Sequence, residues 1–593
     1  MSPSSTQFAP LTVLLVVLVL AVATEARYEF ATCKSRIEGI LNGTVPNDTI
    51  SRDDLLGKNY LWHHPIRGLD TSVVKNGSFI TVTYEGCKAL CGADKTGLNA
   101  SYTAFAIFTT WVLPAVALFS NLPYESLSTL KRKTVEAFTN WIGSPQAALA
   151  NTMFNVLIIR TCQQRSDKKG EMAQEYRDAF YVLSCVNQYE YPSYERKPWN
   201  RYWTRQEREN RQIVRDQVLL YGLFRPLSKD AEDRRVHDPD TDISATRVLL
   251  FNLAFQLRML RRRGVYPQFI NIIWFLVAFI ISLVTAFADL GDNTTAHSLA
   301  LGLLLSWLPV LVTMMIVDRN PSASTRAGVL IERWLYDANH VLRSRHTGMQ
   351  CADGMTYTTR WRPGLGQLDL VIGSFVGQGR RLRYCGIANA ILEITEKVKF
   401  HEDDNILKQY HSRVVNLHDI LVRRPLSWWT IWLAAEFMVS MSAWMAFMVS
   451  FRTPTVGLGC RSLMAMLWWI FSTLPWIFQA FLQEPPRWTL WITIPLNTMS
   501  VIFLFMIMLF QVTNGLNNCL CKATIFGTSS YGGYLDFENA QFYKSAFHVV
   551  RYWACAAAFG LATSIIFIGW GLRQWSKSSA LWSAAEDAEM VAD

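Results

Sequence analysis

Charged residues are scarce in this chain. Only 18% of its 593 residues are Asp, Glu, Lys or Arg, whereas 50% are hydrophobic. Soluble domains carry about 25% charged residues, so this balance excludes a soluble enzyme. The apolar residues occur in uncharged blocks of about 20, the length at which a helix crosses roughly 30 Å of hydrocarbon. We therefore predict an all-α polytopic membrane protein.

Catalytic motifs are missing as well. The sequence contains no G-x-S-x-G, no H-E-x-x-H, no Cys-x-x-Cys and no set of kinase motifs. The glycines between Gly364 and Gly379 do not have the spacing of a phosphate-binding loop, and we predict turns next to a short strand there. The sequence therefore gives no reason to predict an enzyme, and we predict no cofactor.

A basic segment is missing from the N-terminus, which otherwise has the pattern of a secretory signal. Leu11 to Ala23 form an apolar run that is short for a span, and the small residues Thr24 and Ala26 fit a cleavage site. We predict a cleaved signal peptide over 1–26, with an uncleaved anchor as the alternative. The expected location is a membrane of the secretory pathway, namely the plasma membrane.

Seven further apolar segments predict transmembrane helices, near 103–121, 269–288, 298–317, 428–450, 462–482, 488–511 and 550–570. The predicted division of the mature chain is an extracytoplasmic segment 27–101, a first span 102–122, a cytosolic region 123–267, two spans within 268–317, a second cytosolic region 318–427, three spans within 428–512, an extracytoplasmic loop 513–549, a last span 550–570 and a cytosolic tail 571–593.

Basic residues predict the orientation of these spans. Lys131 to Lys133 follow the first span and Arg261 to Arg263 precede the second, which is typical of cytosolic loops. The amino terminus is then outside and the carboxyl terminus cytosolic. Five glycosylation sequons all fall on the predicted outside, at Asn42, Asn47, Asn76, Asn99 and Asn293.

Cysteines divide according to the same orientation. Six fall on the predicted outside and are predicted to form disulfides, namely Cys33, Cys87, Cys91, Cys460, Cys519 and Cys521. Fifteen pairings of these six are possible. A metal site made of Cys87, Cys91, Cys519 and Cys521 is the alternative, but no His accompanies these four cysteines as a further ligand.

The segment 27–101 has a predicted strand over Ser78 to Tyr84. The adjacent His63 and His64 are interpreted as turn or packing residues.

One uncharged segment, 137–159, complicates the span count. It contains the polar residues Asn140, Ser144, Asn151 and Asn155, which are too polar for a helix that faces lipid. A true span here would put the following Arg-rich stretch outside. We therefore predict a re-entrant, interfacial or packed helix.

The two predicted cytosolic regions carry the excess positive charge. Ala245 to Arg263 form an amphipathic helix that ends in an Arg cluster, and we predict that it pairs with anionic lipid headgroups. Because the charge follows the topology, no nucleic-acid partner is predicted. Helices near 326–343 and 386–420 are expected to dock on the first region, with protein partners as a further expectation.

Glu436 is an acid well inside a predicted span, where an ionised side chain must face protein or water. Two hypotheses stand: a proton-coupling or cation-coordinating group, or a hydrogen-bonded packing residue. Gln479 and Asn497 are further polar candidates in neighbouring spans, close to Pro475 and Pro495, which remove backbone donors. Met438, Met441, Met445 and Met448 share one helix face, which suits either adaptable packing or Cu(I).

Two stretches carry a family resemblance. Thr110-Trp111-Val112-Leu113-Pro114 with Asn140-Trp141-Ile142-Gly143-Ser144-Pro145, and the run from Gly533 to Ala540, resemble large integral membrane proteins of filamentous fungi that carry no assigned function. The resemblance implies a shared multispan layout and brings no substrate or catalytic residue. The functional prediction is a transporter, channel or accessory subunit whose spans enclose Glu436. The alternative is a membrane sensor or interaction scaffold.

Overall fold

The computed structural model of the protein describes a large part of the chain, and its described residues are mostly helical. The described residues are 30–44, 50–57, 60–62, 81–91, 138–167, 173–190, 215–224, 242–260, 266–288, 304–317, 324–347, 372–377, 386–397, 424–452, 458–481, 487–512, 519, 534–536, 547–579 and 581, without 217, 221 and 374. The predicted signal peptide and the predicted span 103–121 lie outside these residues.

Fourteen helices and two strands are named here in chain order. The helices are α1 Phe30–Leu41, α2 Arg52–Gly57, α3 Tyr84–Cys91, α4 Pro145–Asp167, α5 Ala173–Val186, α6 Asp242–Met259, α7 Tyr266–Ala288, α8 Leu308–Ile316, α9 Ser324–Thr347, α10 Ile387–Lys397, α11 Leu426–Arg452, α12 Cys460–Phe481, α13 Arg487–Val512 and α14 Phe547–Ser578. The strands are β1 Thr81–Thr83 and β2 Tyr534–Asp536.

Four helices of the described chain are long and apolar enough to cross a membrane. They occupy Leu426–Phe451, Cys460–Ala480, Ile492–Phe510 and Val550–Ser578. Each coincides with one of the seven predicted spans, so a helical protein with at least these four candidate spans is established. Shorter apolar helices occur at Ile272–Ile281 and Leu305–Met314, within two further predicted spans. Pro309 lies in the first turn of α8, where no backbone donor is needed.

A small structure that we call the cap joins two distant parts of the chain. It comprises 30–44, 50–57, 60–62, 81–91, Cys519 and 534–536. Strand β1 lies within the predicted strand and pairs antiparallel with β2, so that Val82 faces Leu535. Ile37, Leu55 and Leu90 are among the side chains that form its core. The cap therefore combines the predicted extracytoplasmic segment with the predicted extracytoplasmic loop.

Sulfur pairs hold the cap together. Cys33 is joined to Cys91 and Cys87 to Cys519, with Cα–Cα distances of 5.0 and 5.9 Å. Cys460 is also disulfide-bonded, whereas Cys521 lies outside the described residues. These distances are compatible with the predicted disulfides. Of the described cysteines, Cys162, Cys185 and Cys555 form no disulfide.

The two predicted cytosolic regions pack together into what we call the loop unit, made of 173–190, 215–224, 242–260, 324–347, 372–377 and 386–397. Helix α6 packs on both α5 and α9. The backbone N–H groups of Gly373 and Gly377 donate to the carbonyl groups of Glu190 and Gln188, at 2.8 and 2.9 Å. A Cβ on Gly373 would lie 2.6 Å from the Glu190 carbonyl oxygen. These glycines thus permit close backbone approach between the two regions.

A buried ion pair fixes the loop unit to the end of the last candidate span. The Arg258 guanidinium lies 2.5 Å from the Asp178 carboxylate and 4.8 Å from the Tyr181 ring centroid. It also donates to the carbonyl oxygen of Leu581, three residues beyond α14. Removing either charge would leave the other buried and unpaired.

Candidate functional site

The helix α4 occupies the centre of the bundle. It packs against α5, α8, α11, α12 and α14, and its polar side chains are buried rather than displayed. Gln146 and Thr152 have no exposed surface. Of the three alternatives predicted for 137–159, the structure therefore has the packed helix. Buried polar groups need hydrogen-bond partners, and those partners lie on the candidate spans.

Hydrogen bonds set the direction of α4 relative to α12. The Ser144 hydroxyl donates to the Ser472 carbonyl at 2.8 Å, and the Gln479 amide donates to Asn151 Oδ1 at 2.8 Å. Both pairs are separated by 328 residues. A constant offset means that the two helices run parallel, side by side. Gln479, predicted as a polar candidate, is thus a partner of the central helix.

Asn497 of α13 bonds the chain just before α4. Its amide donates to Asn140 Oδ1. A Cβ on Gly143 would lie 2.5 Å from the Asn497 carbonyl oxygen, so the two backbones are in direct contact. Only glycine fits at 143 without a shift of one helix, because any other residue has a Cβ. The second predicted candidate therefore also faces the central helix.

Glu436 lies in the groove between α11 and α12 and is half-buried. The Ser440 hydroxyl donates to its Oε1, and the Trp469 indole N–H donates to Ser440 Oγ at 2.7 Å. The Thr473 side chain also lies beside the carboxyl group. Glu436 Oε2 is buried and accepts no hydrogen bond from the described residues. The carboxyl group faces protein, as its position in a span required.

Thr473 connects Glu436 to the interior of the bundle. Gln146 Nε2 donates to Ser472 Oγ at 2.9 Å and approaches Thr473 Oγ1 at 3.3 Å. Polar groups thus continue from Glu436 through Thr473 and Gln146 to Ser472 and Ser144. We call this set, with Asn140 and Asn497, the polar layer. Glu436, Ser472, Thr473 and Asn497 lie in the interior of α11, α12 and α13, whereas Asn140, Ser144 and Gln146 lie at or just before the start of α4.

Several buried oxygen atoms of this region accept no hydrogen bond from the described part of the chain. Within the polar layer these are Glu436 Oε2, Gln146 Oε1 and Asn497 Oδ1, and Ser500 Oγ lies one turn from Asn497. Gln479 Oε1 is a fifth, nearer the end of α12. Unsatisfied buried oxygens accept hydrogen bonds from water or coordinate cations. Pro475 and Pro495 lie in the same part of α12 and α13, where each frees one carbonyl oxygen.

Sequence reasoning noticed the polar residues of 137–159 but missed their role. Asn140, Ser144, Asn151 and Asn155 recur at steps of four, seven and four residues, which is one helix face. That spacing was the available signal for a helix with polar partners. Asn155 continues the pattern into the loop unit, where Asn187 Nδ2 donates to its Oδ1 at 2.8 Å.

Two metal sites were considered from the sequence, one made of cysteines and one of methionines. Cys87, Cys91 and Cys519 have sulfur atoms within 4.8 Å of one another, but each already forms a disulfide and has no thiolate to offer. Met438, Met441, Met445 and Met448 are half-buried along α11, and Met438 packs on the main core. His63, His64 and Cys521 lie outside the described residues.

Of the five predicted glycosylation sites, only Asn42 lies within the described residues. Asn42 is exposed just after α1, in a turn where Gly43 has a φ of 70°. Such a turn leaves the side chain of Asn42 accessible. Asn47, Asn76, Asn99 and Asn293 lie outside the described residues.

Comparison with protein-family models, with curated proteins and with solved structures finds no match for this chain.

Proposed function

We propose that this protein is a membrane transporter, channel or accessory transport subunit whose helices enclose the polar layer and Glu436. The observation that carries the proposal is the position of the polar layer, inside three candidate spans and away from their ends. Polar groups at such a depth are costly, and in membrane proteins they mark ion and proton pathways. Sites at the middle of the bilayer, beside interrupted helices, are typical of transporters.

The chemistry of the polar layer favours protons or small cations as the transported species. Its unsatisfied atoms at Gln146 and Asn497 are amide oxygens, which accept hydrogen bonds from water or hydronium and coordinate hard cations. Glu436 supplies the negative charge that either species needs. Thr473 and Ser472 have hydroxyl groups, which both donate and accept, so they suit a relay between Glu436 and Gln146.

We also propose the orientation and location of the protein. The cap with its disulfides would lie outside, and the loop unit would lie in the cytosol of a cell whose plasma membrane holds the protein. The two disulfides of the cap support this, because disulfides persist in oxidising compartments, whereas Cys185 of the loop unit and Cys162 near the end of α4 form no disulfide. The resemblance to fungal membrane proteins stays a prediction.

The test uses purified protein in sealed vesicles that contain a pH-sensitive dye. After a pH jump with potassium and valinomycin present, the wild-type protein should dissipate the pH gradient. Glu436→Gln should abolish this proton flux while leaving the purified protein monodisperse, since the amide keeps the shape and loses the charge. A parallel measurement of sodium influx distinguishes cation flux from proton flux.

Ser442→Ala is the matched control, because Ser442 lies on the same helix and its hydroxyl bonds only the Met438 carbonyl among described partners, at 3.3 Å. Its flux should equal that of the wild type. If wild-type vesicles leak protons and sodium no faster than empty ones, the transport proposal fails. If Glu436→Gln retains full flux, Glu436 has no part in it.

The alternative function, a sensor or interaction scaffold, is favoured by the cap. Strand pairing and the Cys87–Cys519 bond tie the N-terminal segment to the chain between α13 and α14. A ligand bound to the cap would therefore act directly on two candidate spans. Under this proposal, deletion of the cap would leave proton flux unaffected and change the protease sensitivity of the loop unit.

A further inference from the structure

The helix α6 has an exposed apolar stripe on the side that faces away from the loop unit. Val248 is 57% exposed and Phe251 is 46% exposed, and Phe255 is half-buried with its ring stacked 6.4 Å from that of Phe251. The opposite face, with Leu250 and Leu257, is buried. Exposed apolar stripes of this kind mark a protein or membrane contact.

The buried Arg258 places one end of this stripe beside a candidate span. Its guanidinium donates to the Leu581 carbonyl at 3.1 Å, and Leu581 follows the end of α14 by three residues. The last turn of α6 is therefore held next to the end of a helix that is long enough to cross a membrane. A membrane surface around α14 would pass close to that turn.

The stripe is also continuous along the chain with a second exposed apolar surface. Helix α7 begins at Tyr266, seven residues after α6 ends, and Ile270, Ile273 and Trp274 are all exposed on it. By sequence, three consecutive arginines lie between the two helices. Apolar faces followed by clustered positive charge are typical of helices that lie in the interface of an anionic leaflet.

We propose that the face of α6 formed by Val248, Phe251 and Phe255 docks on the bilayer leaflet next to the loop unit. Its occupant is phospholipid, at the boundary between the headgroups and the acyl chains. The contact holds the loop unit against the membrane at the point where Arg258 joins α5, α6 and the end of α14. The inference is independent of transport, because it concerns a surface outside the polar layer.

The experiment is photocrosslinking in the full-length protein, reconstituted in lipid nanodiscs. A benzophenone amino acid replaces Phe251 or Phe255, and mass spectrometry identifies the product after illumination. Ile273 of α7 serves as the positive control for lipid contact. Leu253, which is 4% exposed, serves as the control for crosslinks within the chain.

Phe251 and Phe255 should give lipid adducts with yields like those of Ile273, and Leu253 should give crosslinks only within the chain. Replacing about a third of the zwitterionic lipid with anionic lipid should raise the yield at both α6 positions and leave Ile273 unchanged, because surface charge attracts basic segments. Crosslinks between two copies of the chain would overturn the proposal in favour of self-association. Lipid adducts at Ile273 without any at Phe251 and Phe255 would also overturn it.

Discussion

Helices α4 and α7 have the same length and opposite surroundings. The 23 residues of α4 include Gln146, Asn151 and Asn155, yet 16 of the 23 are buried, these three among them. The 23 residues of α7 are far more apolar, yet Ile270 and Trp274 are exposed. In water this arrangement would be inverted, because exposed apolar surface is costly. Lipid removes that cost, so polarity becomes the reason for a helix to be inside.

The largest expected effect comes from the closest contact of the α4 segment. Gly143→Val should prevent Asn140 and Asn497 from meeting, because the new side chain would occupy the space of the Asn497 carbonyl. We expect destabilisation of about 3 kcal/mol or more, as for severe overpacking. Thermal unfolding of the purified protein in detergent measures it.

Gly569→Ala on α14 is the matched control, since no atom lies within 4 Å of a Cβ at that position. It should be neutral or slightly stabilising, because Ala favours a helix over Gly. Equal melting temperatures for Gly143→Val and the wild type would contradict the close approach of α13 to the α4 segment.

A smaller effect is expected from separating Asn151 and Gln479. Asn151→Leu should leave the buried Gln479 amide without this acceptor and cost about 1 to 3 kcal/mol. The double variant Asn151→Leu, Gln479→Leu should regain part of the loss, since no polar group is then orphaned. Unfolding curves of both single variants and the double variant give the coupling energy.

Ile273→Ala is the counterpart on α7 and should cost less than Asn151→Leu in a bilayer, because lipid fills the space of the missing atoms. If Ile273→Ala proved the more destabilising of the two, α7 would be a protein-packed helix and the comparison would fail. Absence of coupling between Asn151 and Gln479 would contradict the parallel register of α4 and α12.

A buried carboxyl group in the loop unit, that of Asp337, should make the stability of the protein depend on pH. Burial raises the pKa of Asp337 to about 6, although the charge of Arg333 acts in the opposite direction. Because the folded-state pKa exceeds the unfolded one, the stability that Asp337 contributes is full at pH below 4 and is lost as pH rises through 6. Asp337→Asn should therefore stabilise the protein at pH 8 by about 1 to 2 kcal/mol, with partial hydration reducing the full value.

Melting temperatures at pH 4, 6 and 8 test this, with the wild type measured beside Asp337→Asn. The advantage of the variant should grow from pH 4 to pH 8. A constant difference between the two proteins at all three pH values would mean that Asp337 ionises in the folded state as it does in the unfolded chain.

The smallest expected effect is on the exposed cap. Asn42→Gln should remove one N-linked glycan and leave the melting temperature nearly unchanged, because Asn42 is exposed and lies outside the cap core. Gel mobility after expression in a eukaryotic host measures the glycan. Unaltered mobility relative to the wild type would mean that this sequon carries no sugar.

Features set by local pattern could be predicted from the sequence. Hydropathy over about 20 residues located the candidate spans, and alternation from Ser78 to Tyr84 located β1. The docking of the second loop region on the first was also anticipated, and α9 does pack on α6. Pairings between distant segments could not be predicted, because local patterns do not identify the partner of β1 or of Asn151.

The direction of α4 bears on whether 137–159 can cross the membrane. A span at 137–159 seemed excluded because it would put the following Arg-rich stretch on the outside. Since α4 runs parallel to α12, the carboxyl ends of the two helices lie at the same end of the bundle, and α5 of the loop unit begins at Ala173, soon after α4 ends. The side of the membrane on which this Arg-rich stretch lies then depends on whether 101–137, upstream of the described helix, crosses the membrane once or twice. Hydropathy locates a helix, but the direction of α4 became clear only from its hydrogen-bonded register with α12.

The disulfide between Cys87 and Cys519 can form only late in synthesis of the chain. The two residues are 432 positions apart, and β2, the partner of β1, is synthesised later still. At about 5 to 20 residues per second, a ribosome needs roughly 20 to 90 seconds to cover that distance. Cys87 must stay unpaired, or pair reversibly, for that whole interval, while Cys33 and Cys91 are already available to each other. Completion of the cap thus requires that three of the four candidate spans have been made, since only Val550–Ser578 follows β2 in the chain. Oxidoreductase and isomerase activity at the nascent chain should set the yield of finished protein.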